Sequence, residues 1–279
     1  MRDGEWVIAG YFVYAAVLAG LLPIRADIAL TAQGLNGLLL MGLGLVAWLA
    51  RRERWRLLRD LYAFPPMLLA YREMGWFAQP HADFLLEKQW VIWDRALLYG
   101  LRLKEAIELF GPALPSILEI AYSLVYTLSA FSVAILYACG RRERTGAFLF
   151  TFLLAIFACY ALFPYFPSEP PRTVFPESDL PSHDTVFRQF NRALLGGYGI
   201  HTSVFPSAHV AGAFAAAFAL RRLLPEVRWP GRLLLALAVL IATATVYGRY
   251  HYAVDAAAGF GAAVFAEALG RRRGRRLAV

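Results

Sequence analysis

Phe205-Pro-Ser-Ala-His209-Val-Ala-Gly-Ala-Phe214-Ala-Ala-Ala-Phe-Ala-Leu220-Arg-Arg222 carries polar chemistry at one end and charge at the other. Between them the run is apolar without alternation, which suits a helix in lipid better than a strand of a membrane barrel. Pro206 fits the first turn of a helix. The arginine pair is the kind of stop that holds a membrane helix on the cytoplasmic side. The stretch therefore reads as a span, Ser207 to Leu223, with a histidine in its first turn.

The pattern recurs outward from there. The chain has 279 residues, of which 59% are hydrophobic and only 17% charged, with a mean hydropathy of +0.50. A soluble domain is about 25% charged. Further spans are expected at Trp6–Leu22, Leu30–Leu49, Leu61–Ala78, Ala113–Ala138, Ala147–Leu162, Leu233–Tyr247 and Tyr252–Leu269. The first also has the look of a signal peptide, but its basic start is offset by Asp3 and Glu5. The third is weak, with Pro65-Pro66 inside it and Arg72-Glu73 near its end. Residues His81 to Phe110 read as an interfacial amphipathic segment, with Trp90, Trp93 and Tyr99 in the headgroup layer. The fold class is thus all-α: a polytopic membrane helical bundle of about eight spans. It forms a single membrane domain, with 1–110 as N-terminal spans and interfacial helix, 111–270 as catalytic core and 271–279 as a basic cytoplasmic tail.

The net charge is +8, yet the arginines fall in short runs between apolar segments. That is topology rather than a nucleic-acid face. With both termini cytoplasmic and eight spans, 18 Lys and Arg lie on the cytoplasmic side and 9 on the other. If residues 61–78 did not cross, spans two and four could not both end at arginine clusters on one side. The expected location is the cell membrane, multi-pass. His209, Arg249, His251, Asp255 and the loop 163–204 then share the non-cytoplasmic face. Cys139 and Cys159 read as buried thiols rather than a disulfide.

The second polar cluster is Tyr247-Gly-Arg-Tyr-His251-Tyr-Ala-Val-Asp255. His251 and Asp255 are four residues apart at a helix start, hence on one face. A carboxylate there can hold one ring nitrogen and leave the other as a base or nucleophile; equally, the pair can merely cap the helix. His209 is placed to protonate a departing oxygen, and Ser207 beside it sits where free backbone N–H groups favour an anion. A zinc site from His201, His209, His251 and Asp255 is the rival reading, but zinc ligands are usually spaced more tightly. His183 and His201 read as loop residues.

Phe-Pro-Ser-Ala-His-Val-Ala and His-Tyr-Ala-Val-Asp-Ala-Ala-Ala-Gly resemble the two signature motifs of the type 2 phosphatidic acid phosphatase superfamily. Leu162-Phe-Pro-Tyr-Phe-Pro-Ser-Glu-Pro-Pro-Arg172 resembles the proline-rich stretch of its branch containing inositol phosphorylceramide synthase and sphingomyelin synthase. The resemblance implies a six-helix core, no metal or other cofactor, and a phosphohistidine intermediate. By position, His251 would be the nucleophile, Asp255 its orienting group and His209 the acid and then base. Two superfamily features are missing: a Lys…Arg-Pro motif, and an arginine six residues before the nucleophile, where Thr245 stands. Arg172 and Arg249, with Ser207, are the candidate phosphate-binding residues.

The expected activity is transfer of a phospho-headgroup from a phospholipid donor to a lipid alcohol such as ceramide or diacylglycerol. The alternatives are a lipid phosphatase acting on phosphatidic acid or a polyprenyl diphosphate, with water as acceptor, and a non-catalytic transporter or lipid-binding protein. Within the spans, Arg72 and Glu73 are expected to pair with each other, and Glu119 and Tyr122 read similarly. Arg188, Gln189, Asn191 and Arg192 alternate with apolar residues, which suggests a surface helix hinged at Gly196, Gly197 and Gly199.

Overall fold

The computed structural model describes residues 1–79, 83–176, 179–200 and 202–276. Fourteen α-helices occur in this order: α1 (Asp3–Leu21), α2 (Ala26–Leu49), α3 (Arg56–Leu61), α4 (Phe64–Phe77), α5 (Leu85–Arg95), α6 (Leu103–Glu108), α7 (Ala113–Leu124), α8 (Leu128–Ala138), α9 (Thr145–Leu162), α10 (Pro171–Val174), α11 (Val186–Tyr198), α12 (Ala208–Leu223), α13 (Arg228–Tyr247) and α14 (Ala253–Arg276). No strand occurs among the described residues. A backbone surrounded by lipid must satisfy its own N–H and C=O groups, and uninterrupted helices do so.

Among the described residues, six helical segments are long and apolar enough to cross a bilayer: Asp3–Leu21, Ala26–Leu49, Ala113–Ala138, Arg142–Tyr165, Arg228–Tyr247 and Ala253–Gly274. The other two expected spans are shorter. Helix α4 has 14 residues and α12 has 16, or roughly 21 and 24 Å against a hydrocarbon core of about 30 Å. Helix α12 is shielded by protein instead. Val210, Ala211, Gly212, Ala213 and Ala215–Ala217 are all buried, with α8, α9, α13 and α14 packed around them. Its small side chains let neighbouring backbones come close. A methyl group on Gly212 would sit 3.1 Å from Ile156, and one on Gly259 of α14 would sit 2.3 Å from the Ser207 carbonyl oxygen. The outer belt is apolar and exposed, as at Leu38, Met41 and Leu45 of α2 and Val13 and Val17 of α1.

The arginine clusters meet at one end of the bundle. Arg273 pairs with Asp3 at 2.8 Å, so the N-terminus and the end of α14 lie together. Fully buried Asp60 accepts from Arg2, from Arg142 at 3.2 Å and from the Tyr137 hydroxyl at 2.5 Å. Arg59 pairs with Glu5, and Arg222 with Glu267. Arg144 donates to the Leu223 carbonyl, joining the start of α9 to the end of α12. Helix α4 begins beside this end, four residues after Asp60. It finishes at the opposite end, where the Ala78 carbonyl accepts from Thr202 Oγ1 at 3.0 Å. The chain thus changes ends through α4, as the spacing of arginine clusters requires.

Three local expectations change. Trp90 is not in a headgroup layer: it is buried against Phe205 and Tyr252, whereas Trp93 and Tyr99 are exposed. Arg72 and Glu73 do not pair. Arg72 donates to the Tyr198 carbonyl at 2.9 Å, while the Glu73 carboxylate is buried without a hydrogen-bond partner among the described residues. One-residue spacing on a helix turns the two side chains about 100° apart, so each meets a different neighbour. Cys139 and Cys159 are both free, with Cys159 buried and Cys139 partly exposed.

Candidate active site

His209 and His251 come together at the end of the bundle away from the arginines. His209 is the second residue of α12, and His251 lies in the turn between α13 and α14. His209 Nδ1 and His251 Nε2 are 3.2 Å apart. His251 Nδ1 is 2.9 Å from the Val204 carbonyl oxygen. A carbonyl can only accept, so Nδ1 carries the proton. Nε2 of the neutral ring is then the lone pair facing His209. Burial, followed by the neighbouring His209, holds the His251 ring well below its ordinary pKa of 6.5, so the neutral form is favoured.

Asp255 differs from the expected orienting role. Its Oδ2 is 3.4 Å from His251 Nδ1, further than the Val204 carbonyl. That same oxygen accepts from the Tyr252 N–H at 2.8 Å. Tyr252 precedes the first residue of α14 and Asp255 is its third, so this is the returning half of a capping box. The carboxylate supports the proton on Nδ1 electrostatically, and the Val204 carbonyl is the direct acceptor. Both readings of the His–Asp spacing, cap and orienter, are present in one side chain. Asp255 Oδ1 has no partner among the described residues.

The histidine turn is clamped from both sides by Asp94 of α5. Arg249 adopts a left-handed φ of +62°, which directs its guanidinium onto Asp94 at 2.5 Å, and the Ala253 N–H donates to the other Asp94 oxygen at 2.8 Å. Arg249 is 1% exposed, paired with Asp94 and 3.8 Å from Asp179, and it does not line the cavity. Ser207 is also turned to structure. It is the N-cap of α12, accepting from the Val210 N–H at 3.3 Å, and its own N–H donates to the Asp255 carbonyl at 2.9 Å. That bond and the bare Cα of Gly259 lock the start of α12 to α14.

A cavity of about 130 Å³ opens onto the two histidines. Arg172, half-buried at the second position of α10, is the one cation on its wall among the described residues. Its guanidinium lies 5.5 Å above the Tyr250 ring and 3.5 Å from the Tyr250 carbonyl oxygen. The remaining wall is largely apolar and aromatic, and it runs into the bundle as far as Phe152, Ile156 and Gly212. A small charged end on a long oily body is the shape of an amphiphile.

Helix α11 covers the flank of this site, but inside out relative to a soluble surface helix. Arg188 and Asn191 are buried, bonding Glu119 of α7 at 3.0 and 2.7 Å; Val186, Phe187 and Phe190 are exposed. Tyr250 also donates to Glu119, at 2.6 Å. Glu119 thus ties α11 to the histidine turn. Sequence reasoning saw Glu119 without its partners and missed Asp94 and the Val204 carbonyl. Asp94 follows a tryptophan in a segment read as interfacial, with no motif spacing to mark it. A backbone carbonyl has no sequence signal at all. His183 lies in the loop before α11, as expected; His201, and the zinc reading that used it, lie outside the described residues.

A family model described as PAP2 superfamily matches residues 92–269. Neither the curated proteins nor the solved structures gave a match. The matched region begins within α5, two residues before Asp94, and contains both histidines, Asp255, Arg172 and Glu119. With this match spanning more than half its length, the chain belongs to the PAP2 superfamily, a group of phosphatases and phosphotransferases.

Proposed function

We propose that this protein is a membrane-embedded phosphotransferase that moves a phospho-headgroup from a phospholipid to a lipid alcohol of the ceramide or diacylglycerol type. One observation carries the reading: a histidine lone pair fixed by its backbone partner faces a second histidine inside an oily cavity with a single arginine among the described residues. His251 Nε2 attacks phosphorus and forms an N–P bond. The P–O bond to the diacylglycerol oxygen breaks, and His209 gives that oxygen a proton. His209, now neutral, takes the proton of the acceptor hydroxyl. The acceptor oxygen bonds phosphorus, the N–P bond breaks, and His251 is regenerated. Arg172 stabilises the charge on the non-bridging oxygens.

The apolar wall favours a lipid acceptor over water, because it shelters the phosphohistidine and binds acyl chains on both half-reactions. A phosphatase on phosphatidic acid or a polyprenyl diphosphate uses the same first step with water in the second. The arginine bias puts the site on the non-cytoplasmic face of the cell membrane, with both termini cytoplasmic. The test is purified protein in mixed micelles, with a headgroup-labelled phospholipid and ceramide or diacylglycerol. Label in a new lipid supports transfer. Phosphate or phospho-headgroup released to water supports hydrolysis, and neither product from an otherwise folded protein sinks the reading.

A further inference from the structure

The phosphate-binding half of the site is short of donors. Arg249 faces Asp94 and Ser207 caps a helix, and neither lines the cavity. Arg172 alone cannot meet the three oxygens of a phosphoryl group in transit. Another hydroxyl stands in the right place. Ser203 lines the same cavity as Arg172, His209 and His251. It is 4% exposed, and its Oγ has no hydrogen-bond partner among the described residues. A buried hydroxyl left unsatisfied is costly, and such groups ask for an explanation.

The backbone around Ser203 is fixed on both sides. Its N–H donates to the Ser168 carbonyl at 2.7 Å. The next residue, Val204, holds the proton on His251 Nδ1. Ser203 itself has a φ of +82°, in the left-handed region where glycine is the easier residue. The chain thus carries a side chain at a position that disfavours one, and that side chain brings an unpartnered hydroxyl to the cavity lining. We infer that Ser203 is a phosphate-binding residue, donating a hydrogen bond from Oγ–H to a non-bridging phosphoryl oxygen opposite Arg172. The donor is rigid before substrate arrives, so the bond costs little reorganisation as charge develops.

This inference rests on the phosphoryl-transfer reading, and the experiment separates the two. Orthovanadate, a phosphate mimic able to take five ligands, is titrated into the purified full-length protein in detergent and followed by calorimetry. Ser203→Gly is the main variant, because glycine removes the hydroxyl and accepts the left-handed backbone without strain. Ser203→Ala is its companion, and thermal unfolding checks that each is folded. The expected result is binding by the wild type, none by His251→Ala, and affinity lowered about tenfold in both Ser203 variants, with turnover reduced roughly a hundredfold. Wild-type vanadate affinity and turnover in folded Ser203→Gly overturn the role of Ser203 and leave His251 standing. Failure of the wild type to bind vanadate, or full binding by His251→Ala, overturns the phosphoryl-transfer reading and the Ser203 inference together.

Discussion

The two ends of this bundle treat their buried acids differently. At the arginine end each buried acid is answered. Asp60 has Arg2, Arg142 and Tyr137; Glu5 has Arg59; Glu267 has Arg222 and Arg271. At the histidine end, groups are held in place but left incomplete. His251 Nε2 faces only another imidazole, and Asp255 Oδ1 and Ser203 Oγ face nothing among the described residues. A saturated network resists change and stabilises a shape. An unsaturated one keeps capacity for a ligand. Asp94 and Glu119, whose carboxylate oxygens are all hydrogen-bonded, flank the incomplete groups.

That contrast can be broken experimentally, most sharply at the reacting pair. His251→Ala is expected to lower transfer by at least about a thousandfold, because it removes the nucleophile, and to lower the unfolding temperature as well, because the Val204 carbonyl loses its Nδ1–H partner. Activity near wild type ends the proposed mechanism. Asp94→Asn comes next. It removes the nearer of the two carboxylates beside buried Arg249, leaving Asp179 at 3.8 Å, which is expected to cost up to about 3 kcal/mol in unfolding free energy. It also lets the His251 turn move, lowering turnover roughly a hundredfold. Loss of stability with full turnover would show that the turn does not need its clamp.

Glu119→Gln is expected to have a smaller effect, about tenfold on turnover, since it loosens α11 and Tyr250 without touching the histidines. Faster proteolysis within residues 186–199 should accompany it, and unchanged protease sensitivity would place α11's anchor elsewhere. The pH profile sharpens the comparison without mutation. His251 is held below its ordinary 6.5 by burial and His209, so the neutral nucleophile persists as pH falls. The acidic limb of kcat/KM is expected below 6.5, and a limb at or above that value contradicts a buried neutral ring. Stability moves the same way. The unfolded chain takes up the proton near 6.5 while the fold resists it, so stability falls as pH drops through that value. Asp60→Asn closes the series with no expected effect on turnover per folded molecule, only a lower unfolding temperature.

Much of the fold was legible in the sequence because lipid imposes simple rules. Long apolar runs and arginine stops located the six long helices, and the spacing of those stops required α4 to change ends. Helix α12 was found by its apolar character, but its 16 residues depend on being wrapped by protein, which no local pattern shows. The residues that meet at the cavity were legible as well, since His209, His251 and Asp255 keep a motif spacing. Their supports were not. Asp94 lies 157 positions from His251 by number, Val204 acts through its backbone, and the pairing of Arg249 with Asp94 was hidden because a free arginine and a paired one look alike in sequence. Pairing is a property of three-dimensional neighbours, and in this fold the neighbours come from α5, α7 and the loop before α12.

The absence of a side chain at Gly259 has a mechanical consequence. Helices α12 and α14 touch there backbone to backbone, with a single N–H to carbonyl link between Ser207 and Asp255 beside the contact. No flexible side chain lies between them to absorb relative sliding. His209 therefore moves with the body that carries Asp255 and the His251 turn, and the spacing of the two rings is insulated from the breathing of the outer helices. The covering helix α11, with glycines at its C-terminal end, stands outside this rigid contact. On the proposed function, the wall can then differ between substrates while the spacing of the two rings stays the same.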